Sequence, residues 1–180
     1  MYTYMFPQIQ GYIFWTDWGL NPHIGRCNMD GKEAKIMSVK TGAWPNSVAL
    51  DVTSEEFYCI DAKYNEIYRM DYDGSHRIIF PLMADHSNPH PHDLEFLPEI
   101  STLMWTDTKG KSLVTNELNY ERNEIVDETS MLKNRFRVPY ALAMISRDQQ
   151  PFKRMNCSCS NAFCLHIPNA NSLQTCLRYY

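Results

Sequence analysis

The segment Tyr12-Ile13-Phe14-Trp15-Thr16-Asp17-Trp18-Gly19 sets a β-branched and aromatic run directly before a Thr-Asp pair bracketed by two tryptophans. It holds no nucleophile, no phosphate-binding loop and no metal-ligand cluster, so its aspartate is first a structural question. The segment returns. Phe14 to Asp17 reads FWTD, Tyr58 to Asp61 reads YCID and Met104 to Asp107 reads MWTD, which spaces the aspartates by 44 and then 46 residues. Other positions keep step. Trp44-Pro45-Asn46 becomes His90-Pro91-His92 and then Val138-Pro139-Tyr140, with prolines 46 and 48 residues apart, and IGRCNMDG from Ile24 returns as IYRMDYDG from Ile67.

Short β-type runs, Asp-Gly turns and a period of roughly 40 to 50 residues mark the blades of a propeller, each a four-stranded antiparallel sheet. In the middle repeat Pro45 to Asp51 is expected to be the innermost strand, Phe57 to Ile60 the second, Glu66 to Met70 the third and His76 to Phe80 the outermost. Asp73-Gly74 turns the chain between the last two, because Gly tolerates a positive φ. Trp15 and Trp105 are flat residues suited to the wedge between blades. Asp17, Asp61 and Asp107, at strand ends, can accept backbone N–H groups that would otherwise stay unpaired. A catalyst is seldom repeated in every blade, so these aspartates are assigned a structural role.

The whole chain has the composition of an all-β globular protein. It has 180 residues, a 44 % hydrophobic and 13 % aromatic content, and 17 Lys and Arg against 21 Asp and Glu for a net charge of −4. No basic block points to nucleic acid. No window approaches the roughly 18 apolar residues of a spanning helix, and the first ten residues lack the pattern of a signal peptide. Four of the six cysteines (Cys157, Cys159, Cys164 and Cys176) crowd the C-terminal end, a density typical of oxidised extracellular modules.

FWTD with Trp18-Gly19, Ile24-x-Arg26, Met29-Asp30-Gly31, Trp44-Pro45-Asn46 with Leu50-Asp51, and Tyr58-x-x-Asp61-Ala62 closely resemble the YWTD, or low-density lipoprotein receptor class B, repeat. The phrasing Lys40 to Asn46 looks most like the low-density lipoprotein receptor-related proteins. The resemblance implies a six-bladed propeller followed by an EGF-like module. Three repeats against the roughly 260 residues of six blades read as the C-terminal half of a ring, and the remaining half is an expected partner. On this basis residues 1–150 are the half propeller and 151–180 an incomplete EGF-like module, with Cys157 paired to Cys164 and Cys159 to Cys176 by the family match. The implied function is non-enzymatic: part of the extracellular region of an endocytic receptor that binds lipoproteins or other extracellular proteins, without cofactor, metal or membrane insertion by this segment. Two rivals carry the same repeat logic. One is the propeller of a matrix, nidogen-like, or Wnt co-receptor protein. The other is a calcium-dependent propeller lactonase, which Asn46, His92 and Tyr140 at the inner strand starts would serve poorly as a calcium cage.

Several local signals carry alternatives. HSNPHPHD from His86 to Asp93 could hold a metal or sense pH, but His90-Pro91-His92 fills the Trp-Pro-Asn slot of a blade, and His90 and His92 are retained as candidate pH-sensing groups. Cys157, Cys159, Cys164 and His166 could be drawn as a zinc site, while the Cys-x-Cys start and extracellular context favour disulfides. Asn156-Cys157-Ser158 is a glycosylation sequon. Cys59 stands in the tryptophan slot and Cys27 on a third strand, and each is expected to be a small buried hydrophobe. The third repeat lacks the Asp-Gly turn between Ser112 and Asn123 and reads as degenerate.

Overall fold

The computed structural model describes residues 2–5, 11–82, 88–135, 137–145, 162–166 and 174–178. Three four-stranded antiparallel sheets follow one another along the chain. The first contains β1 (Tyr2–Met5), β2 (Tyr12–Asp17), β3 (His23–Asn28) and β4 (Lys35–Ser38); the second contains β5 (Pro45–Asp51), β6 (Glu56–Asp61), β7 (Glu66–Asp71) and β8 (Ile78–Pro81). The third contains β9 (Pro91–Leu97), β10 (Thr102–Asp107), β11 (Ser112–Asn119) and β12 (Glu124–Met131), with one 3₁₀ turn at Pro98–Ile100. A further sheet has the order β13 (Ala141–Ile145), β15 (Gln174–Arg178), β14 (Ala162–His166), and its register sets Cys176 opposite both Ala143 and Cys164. Asn156, Cys157, Cys159 and His86 lie outside the described residues.

Each of the first three sheets is a propeller blade. Their first strands lie side by side, β1 against β5, β5 against β9 and β9 against β13, so these strands line the inside of the arc. The middle blade matches the sequence expectation to within a residue or two at each strand. β8 starts at Ile78 rather than at His76, because His76 adopts a φ of 48° and belongs to the turn. The third blade is complete despite lacking Asp-Gly. Its outer turn is closed instead by Asn119 Oδ1, which accepts the Arg122 N–H at 3.0 Å, while Asn123 takes the left-handed φ of 52° that Asn tolerates better than most residues.

Strand alternation divides the core between successive blades. From β6, Phe57 and Cys59 join Phe14, Ile24, Met37 and Tyr68 between the first two blades. Tyr58 and Ile60 point the other way and pack with Leu94, Phe96, Leu103 and Trp105 of the third. A third cluster joins Leu97, Met104 and Leu113 to Leu142 of β13.

The tryptophan slot of the repeat obeys a size rule that the register makes plain. Trp15 stands opposite Gly25, Cys59 opposite Tyr68 and Trp105 opposite Val114. One large side chain and one small one share each cross-strand pair, which keeps the blade face at constant thickness. At Gly25 the constraint is steric: an added Cβ would lie 2.1 Å from the Trp15 ring.

Candidate functional site on the upper rim

The end of the blades where second strands finish and first strands begin is here termed the upper rim. Its geometry follows from the repeated aspartates. Asp61 Oδ1 accepts the N–H of Trp44 at 3.1 Å, of Lys63 at 2.8 Å and of Tyr64 at 3.2 Å, so one carboxylate fixes both the segment arriving from the first blade and the turn leaving β6. Asp107 Oδ1 repeats the arrangement with His90 at 3.0 Å, Lys109 at 3.0 Å and Gly110 at 2.9 Å. In the first blade Asp17 Oδ1 accepts the Gly19 N–H at 2.7 Å. These bonds satisfy donors of connections that run over the surface, where water can take over part of the carboxylate's role.

The two sealed aspartates differ in their second oxygen. Asp61 Oδ2 accepts the Tyr68 hydroxyl at 2.8 Å, and burial together with this bond holds the Tyr68 proton well above the usual phenol range. Asp107 Oδ2 is buried without a partner, as is Ser112 Oγ opposite it in the ladder. The reason is the size rule. Val114 occupies the position of Tyr68 because Trp105 takes the space that Cys59 leaves free.

The inner strands are tied by the third residue of each Trp-Pro-Asn slot. Asn46 Nδ2 donates to the Pro91 carbonyl at 2.7 Å, and His92 Nδ1 donates to the Tyr140 carbonyl at 2.8 Å, so His92 makes the same bond one blade further on. Pro45 lies buried at the start of β5. Burial pushes the His92 imidazole below its ordinary value of 6.5. Asp93 accepts from Ser47 Oγ and from the Leu142 N–H, both at 2.7 Å, and so bridges three consecutive inner strands. Glu95 shares its face by alternation. Burial and then the charge of Asp93 push Glu95 up to about 8.

The rim presents partly exposed aromatics, Trp18, Trp44, Tyr64 and Tyr140, 40 to 46 % exposed, of which Asp61 fixes the backbone of Trp44 and Tyr64 and His92 that of Tyr140. Lys63 Nζ stands 5.1 Å from the centroid of the Trp44 ring, and His90 meets that ring edge-on at 6.2 Å. With Ala62, Asn88, Pro89 and Lys109 these residues enclose a hollow of about 260 Å³. Tyr64 is held by a hydroxyl bond to the Thr41 carbonyl at 2.8 Å. Among the described residues no three His, Cys, Asp or Glu side chains converge as metal ligands.

Of the tryptophans singled out in the sequence, Trp105 is fully buried between two blades and its Nε1 donates to Asn116 at 2.6 Å. Trp15 is only half-buried, with Nε1 donating to His23 at 3.3 Å, and it joins none of the core clusters of described residues. Cys59 is buried and Cys27 half-buried, both unpaired. The rim lysines were not singled out from sequence, although Asp61-x-Lys63 and Asp107-x-Lys109 are a repeated pair that would have marked them.

Residues 11–52 match the low-density lipoprotein receptor repeat class B family. The chain is 29 % identical over 163 residues to the vitellogenin receptor Yl of Drosophila melanogaster, covering 91 % of this chain and 8 % of that protein. It is 30 % identical over 119 residues to the human low-density lipoprotein receptor-related protein 5-like protein, covering 66 % of this chain and 45 % of the other. It thus spans a small part of the first relative and less than half of the second. Among solved structures, the nidogen/laminin complex contains a chain that superposes with a TM-score of 0.57 at 22 % identity, over 68 % of this chain and 44 % of that one, a likeness of fold. Residues 11–52 thus carry a low-density lipoprotein receptor class B repeat, and the chain is similar over most of its length to a vitellogenin receptor and a low-density lipoprotein receptor-related protein 5-like protein.

Proposed function

We propose that this chain is part of the extracellular region of an endocytic, lipoprotein-receptor-like cell-surface protein, where it binds protein ligands or governs their release without chemistry of its own. The observation that carries this reading is the rim. The repeated aspartates are used up in holding two surface connections each, and what they hold in place is exposed aromatic surface of the kind enriched at protein interfaces. Relatives named as receptors support the receptor assignment. In this reading His92, half-buried at the inner strands with its imidazole pushed below its ordinary value by burial, is a pH-sensing group, with His90 beside the Trp44 ring a second one.

Immobilised chain exposed to purified vitellogenin near neutral pH and at about pH 5.5 tests the endocytic reading. A complex near neutral pH that weakens on acidification, and that Trp44→Ala with Tyr64→Ala abolishes, supports it. Absence of any complex at either pH removes it. The relation to the human receptor-related protein 5-like protein favours a second reading, a co-receptor whose propeller is itself the main docking surface.

The tail is proposed to be an EGF-like module with Cys157–Cys164 and Cys159–Cys176 bridges and glycan at Asn156. Peptide mapping of the secreted, unreduced chain checks these assignments, and a Cys164–Cys176 bridge between the paired strands would replace the first two.

A further inference from the structure

Charge is sorted between the two ends of the blades. The described parts of the upper connections carry Lys40, Lys63, Lys109, Lys111, Lys133, Arg135 and Arg137 and no carboxylate. The lower connections carry six carboxylates (Asp30, Glu33, Glu55, Asp73, Glu99 and Glu121) against three cations. Among the described residues, the connections at one end are therefore cationic in a chain of net charge −4. Among the described residues the carboxylates at that end include Asp61 and Asp107, fully buried and already bonded to backbone, and Glu66, which Lys40 occupies.

The cations are also unevenly occupied. Lys40 is bonded to Glu66. Lys63 and Lys109 are exposed, and neither has a carboxylate within salt-bridge distance among the described residues. Both line the hollow in which Trp44 and His90 meet. The 132–135 turn is joined to this side of the rim by the Asn134 N–H, which donates to the Lys111 carbonyl at 3.0 Å, so the cationic surface runs from the second blade to the approach to β13.

Building on the rim as a docking surface, we infer that it receives an acidic polypeptide segment, with an Asp or Glu carboxylate between the Lys63 and Lys109 ammonium groups and a neighbouring apolar side chain against Trp44. Cations on separate connections, interleaved with Trp18, Trp44, Tyr64 and Tyr140, suit a partner that brings carboxylates and apolar groups in alternation. A uniformly charged polysaccharide would leave those rings without contacts. The opposite sign of the two ends also orients an approaching acidic partner, an effect that salt screens.

The test is fluorescence anisotropy of the full chain with three labelled peptides that share their apolar residues and carry Glu, Gln or Lys at the polar positions, with heparin as a fourth probe. The Glu peptide is expected to bind best and to weaken as salt rises. Lys63→Glu with Lys109→Glu should reduce its affinity by about tenfold or more, Lys63→Arg with Lys109→Arg should retain it, and Glu99→Lys with Glu121→Lys at the lower end should leave it unchanged. Urea midpoints confirm that each variant folds. Equal binding of the Gln or Lys peptide, blocked by Trp44→Ala, overturns the acidic preference and leaves the docking surface standing. Binding of heparin with no peptide overturns it in favour of a polysaccharide site. Binding of no probe, or binding indifferent to both the lysine and Trp44 variants, overturns the inference and the rim reading together.

Discussion

Trp15 and Trp105 occupy the same slot of the same repeat and meet different fates. Trp105 is sealed between the second and third blades against Tyr58, Ile60 and Phe96. Trp15 lies flat over Gly25 on the outer face of the first blade, beside Ile13, Cys27 and the 56 % exposed Ile36, and no described element packs on it. The repeat dictates where a tryptophan stands, but only a following or preceding blade makes it core. The energetics should differ accordingly. Trp105→Ala is expected to cost about 3–5 kcal/mol, as large aromatic truncations in sealed sites do, whereas Trp15→Ala should cost about 1 kcal/mol. Urea unfolding of the two variants measures the gap. Equal losses would mean that the outer face of the first blade is covered as thoroughly as the inner one.

A second contrast separates Asp61 from Asp107. Asp61 satisfies three backbone donors and a buried hydroxyl, while Asp107 satisfies three donors and leaves one oxygen bare. Asp61→Ala strands one more buried donor than Asp107→Ala does, and the expected losses are about 3 and about 2 kcal/mol. If the order is reversed, the bare oxygen has a partner in solution, and a bound water is the natural one.

The size rule explains that contrast and can be tested by exchange. Trp105→Cys opens a cavity and Val114→Tyr overfills a core, so each alone should be destabilising by a few kcal/mol. Together they rebuild the Cys59–Tyr68 pair of the neighbouring blade and bring a hydroxyl to Asp107. A double-mutant cycle is expected to show favourable coupling of about 1–2 kcal/mol. Recovery will be incomplete, because Asn116 loses the indole N–H it now accepts. Additive losses would sink the idea that the two pairs are alternative fillings of one space.

The blades and their strands were legible in the sequence because period, turn chemistry and alternation all point to one register. So was the structural use of Asp61 and Asp107, since a carboxylate recurring at a strand end has backbone donors within reach. The rim was not legible. Lys63, Lys109 and Arg137 lie far apart along the chain, and only the topology that returns every second strand to the same end gathers them. Glu95 escaped for a related reason. It sits where Ala49 sits in the middle repeat, and a charged residue in an inner strand is read as channel-facing until β13 is seen to cover that side.

The third blade itself has two unlike faces, and their comparison yields a prediction about pH. Leu94 and Phe96 meet the second blade, while Asp93 and Glu95 alternate toward β13, where His92 also binds the Tyr140 carbonyl. Glu95 is raised from an ordinary 4.5 to about 8, so the folded chain holds more protons than the unfolded chain between those values. Its contribution is complete below 4.5 and is lost as pH climbs through 8. His92 acts in the opposite sense: its folded value lies below 6.5, so its neutral form supports the fold fully above 6.5 and less as pH falls beneath it. At pH 7 Glu95→Gln replaces a carboxyl that is protonated in the folded chain but ionised in the unfolded one, so the substitution should raise stability. Its signature is in the profile. Melting temperatures should lose their decline between about pH 4.5 and 8 in Glu95→Gln, and His92→Asn, which copies the Asn46 bond of the preceding blade, should lose the fall below 6.5. A decline between about pH 4.5 and 8 that survives Glu95→Gln would place the titrating group elsewhere and leave the β13-facing side of the third blade no more pH-sensitive than the side facing the second.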